Sequence, residues 1–514
     1  MALLTLAVAA CSGGDDQRGK IGYVEGFLGG VVADEPRAAL IGRDVLSAGG
    51  SVADAAVAVA FALSVTLPSS GGLGGGGACV TYHVGTNEVW SLDFSSSPAA
   101  AESSRGRPVA VPGVPRGMFA LHSKYGRLRW GQLISPAENI ARFGDPVSRA
   151  LARDLAASKG KVGRSASMRG VFTQKGSREL IGERDLLVQL DLAGTLGQLR
   201  SKGPGDLYSG RLGRQIVDSV TRAGGALEMA QLSAFTPQWR EPLMVEVGNE
   251  EVIFPSAPVF GGNVAAQMFA FFEDDDRFED ASEPDRAHLV AETGARLWPA
   301  GRAPAGGKIK KGVRPVDLTA ANSAMRGYRV DRHTAAPAGG PAIPAAAAST
   351  GFVVADRAGS AVACTLSMNK PFGAGLIAEG TGLILAEVPT AVSSAALAPA
   401  LMINRNVNEF FAAVAPSGGA GGVSSMVSVL SRMTLAEQPA MDALQAPRAH
   451  NGGAPDTTYA EQDGGLSARG HRVDSVRALG RVNVISCPDG IPPEPETCES
   501  LADPRGAGLA ATAD

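Results

Sequence analysis

Ser349-Thr350-Gly351-Phe352-Val353-Val354-Ala355-Asp356-Arg357-Ala358-Gly359, continuing through Ser360-Ala361-Val362-Ala363-Cys364-Thr365-Leu366-Ser367-Met368-Asn369, is the stretch that decides the fold. Phe352 to Ala355 spells a strand, Asp356 to Gly359 a turn, and Ser360 to Asn369 a second strand. The segment therefore reads as a β-hairpin carrying hydroxyls at its start. Ala335 to Ala348, just before it, is almost entirely Ala, Pro and Gly. Such a composition builds no core and predicts an exposed linker. A hydroxyl pair, Ser349-Thr350, thus stands where a linker becomes a strand. Self-cleavage has a use there: a hydroxyl attacks its own preceding carbonyl, and the cut frees an α-amine of pKa near ~8 that serves as its base. Read without that chemistry, the same pair merely caps a turn.

Upstream, Arg37 to Leu46 repeats apolar residues at helical spacing and stops at Gly49-Gly50, a C-cap signal. Val52 to Leu67 is nearly all apolar, contains Asp54 and ends at Pro68, which predicts a buried core helix. The glycine run Gly71 to Gly77 lacks the Lys and Ser/Thr of a phosphate-binding loop and predicts a backbone packed too closely for side chains. Ala78 to Val84 and Glu88 to Phe94 form a second hairpin around Gly85-Thr86-Asn87. Residues 115 to 300 read as mostly helical, with a solvated acidic cluster between Glu273 and Glu283. Downstream, Pro416-Ser417-Gly418-Gly419-Ala420-Gly421-Gly422 precedes a helix over Val423 to Met433. Helix N-termini present unpaired N–H groups, so this turn suits a carboxylate or an oxyanion. Helices alternating with glycine-rich hairpins argue for a layered α/β domain.

The 514 residues are 45% apolar and only 5% aromatic, so the core must rest on Ala, Val, Leu and Gly. A formal net charge of -4 offers no field for nucleic acid, and that class is set aside. The six histidines show no His-Glu-x-x-His, and there is no Cys-x-x-Cys, so no metal site is expected. No Gly-x-Ser-x-Gly marks a Ser-His-Asp hydrolase. Cys79 and Cys364 fall in apolar strands and are expected to be buried, whereas Cys487 and Cys498 bracket a Pro-rich loop at disulfide spacing. Leu3 to Ala10 followed by Cys11 fits a lipoprotein export signal, with Cys11 as the lipid anchor of a periplasmic or envelope protein.

The hairpin resembles the start of the small subunit in the gamma-glutamyltransferase family of N-terminal-nucleophile hydrolases. That subunit opens with Thr-Thr-His or a variant, an apolar strand, Asp-x-x-Gly, then Thr-x-Asn ahead of Phe-Gly. Here Ser349-Thr350-Gly351, Asp356 to Gly359, Ser367-Met368-Asn369 and Phe372-Gly373 follow the same order. Gly49 to Ala58, Gly72 to Gly76, Val111 to Gly117, Pro136-Ala137-Glu138, Pro416 to Gly419, Gly470-His471 and Asp503-Pro504-Arg505 extend the resemblance over nearly the whole chain.

The resemblance implies a four-layer αββα sandwich made as one precursor: residues 1–20 signal and linker, 21–348 large subunit, 349–514 small subunit. It implies acyl transfer from a small gamma-glutamyl amide of the glutathione type, a reaction that requires no cofactor. Gap-free alignment on Asp356 and Asn369 puts the nucleophile at Ser349, and residue type puts it at Thr350; a one-residue shift flips the side chain to the other sheet face. Ser367 and Asn369 match the bracing residues, and Gly418 and Gly419 match the oxyanion glycines. Two features depart from the family. Asp93-Phe94 is followed by Ser95-Ser96-Ser97 in place of the Arg that grips the α-carboxylate, with Arg105 and Arg107 nearby as substitutes. The Ser-Ser pair expected ahead of a later Pro falls on Ala395-Ala396, and the acidic α-amine partner falls near Ala391; Ser393-Ser394 would serve only with a gap. These departures favour a glutaryl-type or other amide acylase, or an inactive envelope protein, as rivals.

Overall fold

The computed structural model describes residues 28–97, 107–300, 306–335, 348–390 and 396–513. Cys11, linker residues 336–347, Arg105, Ala391, Ser393, Ser394 and Ala395 lie outside the described residues.

The decisive hairpin forms strands Ser349–Asp356 and Ala361–Ser367, so the first strand starts at the hydroxyl pair itself rather than at Phe352. It sits in the middle of a seven-stranded sheet. In spatial order the strands are Leu509–Thr512, Gly29–Ala33, Ser349–Asp356, Ala361–Ser367, Gly76–His83, Glu88–Asp93 and Gln238–Arg240. A second seven-stranded sheet runs Arg314–Pro315, Leu243–Val247, Glu250–Phe254, Ala400–Asn404, Glu409–Ser417, Arg481–Ile491 and Glu499–Leu501.

Alternation along each strand separates three cores. Val353 and Ala355 face the second sheet; with Val32 and Val80 of their own sheet they pack on its Leu401, Ala413, Ala415 and Ile485. Phe352 and Val354 face the opposite way, onto a helical layer that includes Val52–Thr66. The second sheet turns Val252, Val414 and Val484 outward onto helices Phe260–Glu273, Glu283–Ala300 and Ala420–Thr434. Helix, sheet, sheet and helix thus stack as the four-layer αββα sandwich that the resemblance implies.

Asp54, the one charge in an otherwise apolar helix, is a capping residue. Ser51 Oγ accepts from its N–H at 3.1 Å, while Asp54 Oδ2 accepts from the N–H groups of Ser51, Arg127 and Leu128 at 2.9, 2.9 and 3.0 Å. A carboxylate holding backbone donors at a helix N-terminus is stable in a dry layer. The glycine run is packed as expected: a Cβ on Gly75 would lie 2.4 Å from Ser367 O, and one on Gly77 2.5 Å from Thr365 O.

Two expectations need correction. Strands Gln238–Arg240, Leu243–Val247 and Glu250–Phe254 interrupt the stretch expected to be mostly helical. The late helix begins at Ala420, three residues ahead of Val423, which puts Gly419 at its N-cap. Cys79 and Cys364 are buried as expected and, beyond that expectation, bonded to each other, and Cys487 is bonded to Cys498 as their spacing allows.

Candidate functional site

Strand register decides where each hydroxyl points. Ser349 shares its face with Gly351 and Val353, toward the second sheet, and Gly351 packs so closely there that a Cβ would sit 2.7 Å from Ala415 O. At this end the second sheet presents the turn after strand Glu409–Ser417. Ser349 Oγ accepts hydrogen bonds from the backbone N–H of Gly418 at 3.0 Å and of Gly419 at 3.2 Å. Both glycines have positive φ, +94° and +87°, which turns their N–H groups inward at the N-terminus of helix Ala420–Thr434.

Thr350 points the other way. Its methyl approaches the position a Cβ on Gly71 would take, at 3.1 Å, and its Oγ1 donates to Asp34 Oδ2 at 3.1 Å. Asp34 is shared: Asn483 Nδ2 donates to its Oδ1 at 3.1 Å and Arg481 Nη2 lies 3.4 Å from its Oδ2. Asn483 Nδ2 also donates to Gly351 O at 2.8 Å, fastening the first strand to the second sheet just beyond the hydroxyl pair.

Across the hairpin, Ser349 faces Ser367. Ser367 Oγ donates to the carbonyl oxygen of Ala348 at 2.8 Å, and the N–H of Met368 donates to the same oxygen at 3.1 Å. Ser367 Oγ in turn accepts from the N–H of Asn369 at 2.9 Å. Asn369 has φ +65°, and its amide donates to Ser96 Oγ at 3.1 Å and to Glu387 O at 2.7 Å. Ser349, Ser367, Asn369, Gly418 and Gly419 are therefore brought together around the Ala348–Ser349 peptide, and Thr350 is held on the opposite face.

The substitutions after Phe94 leave short neutral side chains. Ser95 folds back on Asp93, with its N–H and Oγ both donating to Oδ1, at 3.0 and 2.6 Å. Arg107 opens the two-residue strand Arg107–Pro108. A cavity of about 1050 Å³ is lined by Leu186, Val188, Leu190, Leu376 and Ile377 among others, and none of the residues around Ser349 lines it. Hydrogen-bond donors aimed at one peptide identify the site better than cavity size does.

Sequence reading missed the Asp34–Asn483–Arg481 group and the role of Met368 N–H, since backbone donors and contacts hundreds of residues apart leave no local signature. It also treated the histidines as scattered. Three of them meet: His288 Nδ1 lies 2.7 Å from His471 Nε2, and His333 bridges Glu292 and Asp456. His288, Glu292 and His471, all buried, are the one group among the described residues with the donor types and proximity for a metal ion. Their polar atoms already bond to one another, to Arg329 O and to Thr458 Oγ1. Burial, reinforced by His333 and His288, pushes the pKa of His471 down to about 3.

The model of the gamma-glutamyltranspeptidase family matches residues 38–513. The chain belongs to the gamma-glutamyltranspeptidase family. It is 29% identical over 397 residues to a glutathione hydrolase proenzyme of Bacillus subtilis (strain 168), covering 70% of this chain and 67% of that one. It is 28% identical over 517 residues to an acylase ACY 1 proenzyme of Pseudomonas sp. (strain SE83), covering 90% and 91%. Among solved structures, a cephalosporin acylase from Bacillus halodurans superposes with a TM-score of 0.75 over 96% of this chain and 97% of that one, at 21% identity. Its relatives make this gamma-glutamyltranspeptidase-family chain an enzyme of the hydrolase and transferase kind, on an N-terminal-nucleophile hydrolase fold.

Proposed function

We propose that the chain cuts itself between Ala348 and Ser349 and then transfers or hydrolyses gamma-glutamyl groups of glutathione-type amides through an ester on Ser349. The observation that carries this reading is the Ala348 carbonyl, which accepts from Ser367 Oγ and Met368 N–H while Ser349 Oγ lies against the Gly418 and Gly419 N–H groups.

In maturation, Ser349 Oγ adds to the Ala348 carbonyl carbon. The oxygen that becomes negative is the one already held by Ser367 and Met368. Collapse breaks the C–N bond, the Ser349 nitrogen takes the hydroxyl proton, and water then hydrolyses the ester to leave a free α-amine on Ser349. In turnover that amine accepts the Oγ proton as Oγ attacks a substrate amide, and the Gly418 and Gly419 N–H groups face the new oxyanion. Release to water is hydrolysis; release to an amino acid or peptide is transfer. No cofactor enters these steps.

A side-chain acylase is the second reading, favoured by the neutral Ser95-Ser96 where a carboxylate-gripping Arg is expected. Turnover of a gamma-glutamyl anilide and of a glutaryl anilide separates the two. A higher kcat/KM on the gamma-glutamyl compound supports the first reading, and a reversed preference overturns it. Intact-mass measurement that finds only an uncut chain overturns both. The two disulfides suit an oxidising compartment and support export to the periplasm or envelope, with Cys11 as lipid anchor. Cell fractionation that finds the protein in the cytosol overturns that placement.

A further inference from the structure

Cys79 lies on strand Gly76–His83 and Cys364 on strand Ala361–Ser367, directly opposite each other in register, and a disulfide joins them. They stand 285 residues apart, one on each side of the Ala348–Ser349 peptide. The other disulfide, Cys487–Cys498, lies wholly after that peptide.

We propose that Cys79–Cys364 is the covalent link between the two products of self-cleavage, so that the mature enzyme is a disulfide-joined pair of chains. The inference rests on the cut proposed above. Formation is a two-electron exchange. Both thiols lose their protons, the sulfurs bond to each other, and a partner disulfide of the thiol–disulfide exchange class takes up two electrons and two protons to become two thiols. Both cysteines are fully buried between the sheet and the helix layer, among Phe352, Val354 and Leu366. The bond therefore forms before or during sheet closure and is shielded from reductant while the protein is folded.

Its effect appears when the cut protein unfolds. Without the bond, unfolding yields two separate chains whose reassembly slows with dilution. With it, the strands of the shared sheet remain on one molecule and refolding is independent of concentration.

The test uses mature protein purified after export, alkylated, unfolded in denaturant and weighed with and without reductant. The expected result is one species without reductant, one water heavier than the uncut chain apart from the hydrogens lost to disulfides, and two species with reductant. Two species without reductant overturn the link and leave the cut standing. A single species under both conditions overturns the cut and with it the bond's role between subunits. Peptide mapping without reduction is independent of the cut: Cys79 and Cys364 peptides recovered joined support the link, and recovered as alkylated thiols overturn it. In the Cys364→Ala variant the two chains separate without reductant and refolding yield falls with dilution; a yield that tracks wild type across dilutions overturns the second consequence.

Discussion

Ser367 Oγ donates to the carbonyl oxygen of Ala348 at 2.8 Å, so a side chain from the second strand of the hairpin polarises the peptide that precedes the first. Met368 N–H supplies the other donor. Removing one of two such donors typically slows acyl chemistry about 100-fold. Ser367→Ala is expected to slow self-cleavage by that order, followed by intact mass against time, while Ser367→Thr keeps a hydroxyl in place and stays close to wild type. Equal rates for Ser367→Ala and wild type would remove Ser367 from the mechanism.

Ser349→Ala is expected to remain a single uncut chain, because the residue that follows the Ala348 carbonyl then has no hydroxyl to attack it. Thr350→Ala leaves Asp34 one donor short but keeps Ser349 against Gly418 and Gly419, so it cuts several-fold more slowly and at the same bond. N-terminal sequencing of the smaller product checks both, and the opposite ranking would transfer the nucleophile to Thr350.

Two glycine substitutions separate packing from helix propensity. Gly77→Ala drives a methyl to 2.5 Å from Thr365 O, a backbone atom that cannot give way, and is expected to cost about 1–3 kcal/mol. Gly194→Ala lies within helix Leu190–Lys202 with nothing inside 4 Å of the new methyl and is expected to stabilise by up to about 1 kcal/mol. Denaturant midpoints measure both, and a neutral Gly77→Ala would contradict the close packing.

The pH dependence of stability follows from His471. In the folded protein burial holds its pKa near 3, against an ordinary 6.5, so between those values the unfolded chain binds more protons. Stability is therefore expected to fall as pH drops from about 6.5 toward 3, with His288, which burial also pushes down, adding in the same direction. His333, Glu292, Asp456, Arg296 and Arg469 are the charged and titratable groups around the pair. Thermal melts from pH 7 to pH 4.5 should show a shallower fall for His471→Gln than for wild type, and parallel slopes would count against the assignment.

The hairpin and the glycine turns were legible because their signals are local: period-two alternation, Asp-x-x-Gly, and glycines in unbroken runs. The three missed strands between 238 and 254 are short, and Glu246, Glu250 and Glu251 interrupt their apolar pattern. The orientation of Ser349 was open in the sequence because a bulge could have reversed it. The regular pairing of Ser349 with Ser367 through Ala355 with Ala361 shows that no bulge intervenes. Cys79–Cys364, Asp34–Asn483 and the His288–His471 contact depend on which strands and loops become neighbours, and no spacing within the chain encodes that.

The order of strands in the first sheet bears on how the chain is made. Gly29–Ala33 and Gly76–His83 leave the ribosome early, and Gly76–His83 pairs at once with Glu88–Asp93, yet one edge of each waits for Ser349–Asp356 or Ala361–Ser367, more than two hundred and fifty residues later. Those edges stay unpaired through most of translation, so contacts this distant in sequence favour slow, late closure and expose the nascent chain to aggregation. The sheet that carries Ser349 is therefore completed only by the last third of the chain, and until then the earlier strands present an open edge.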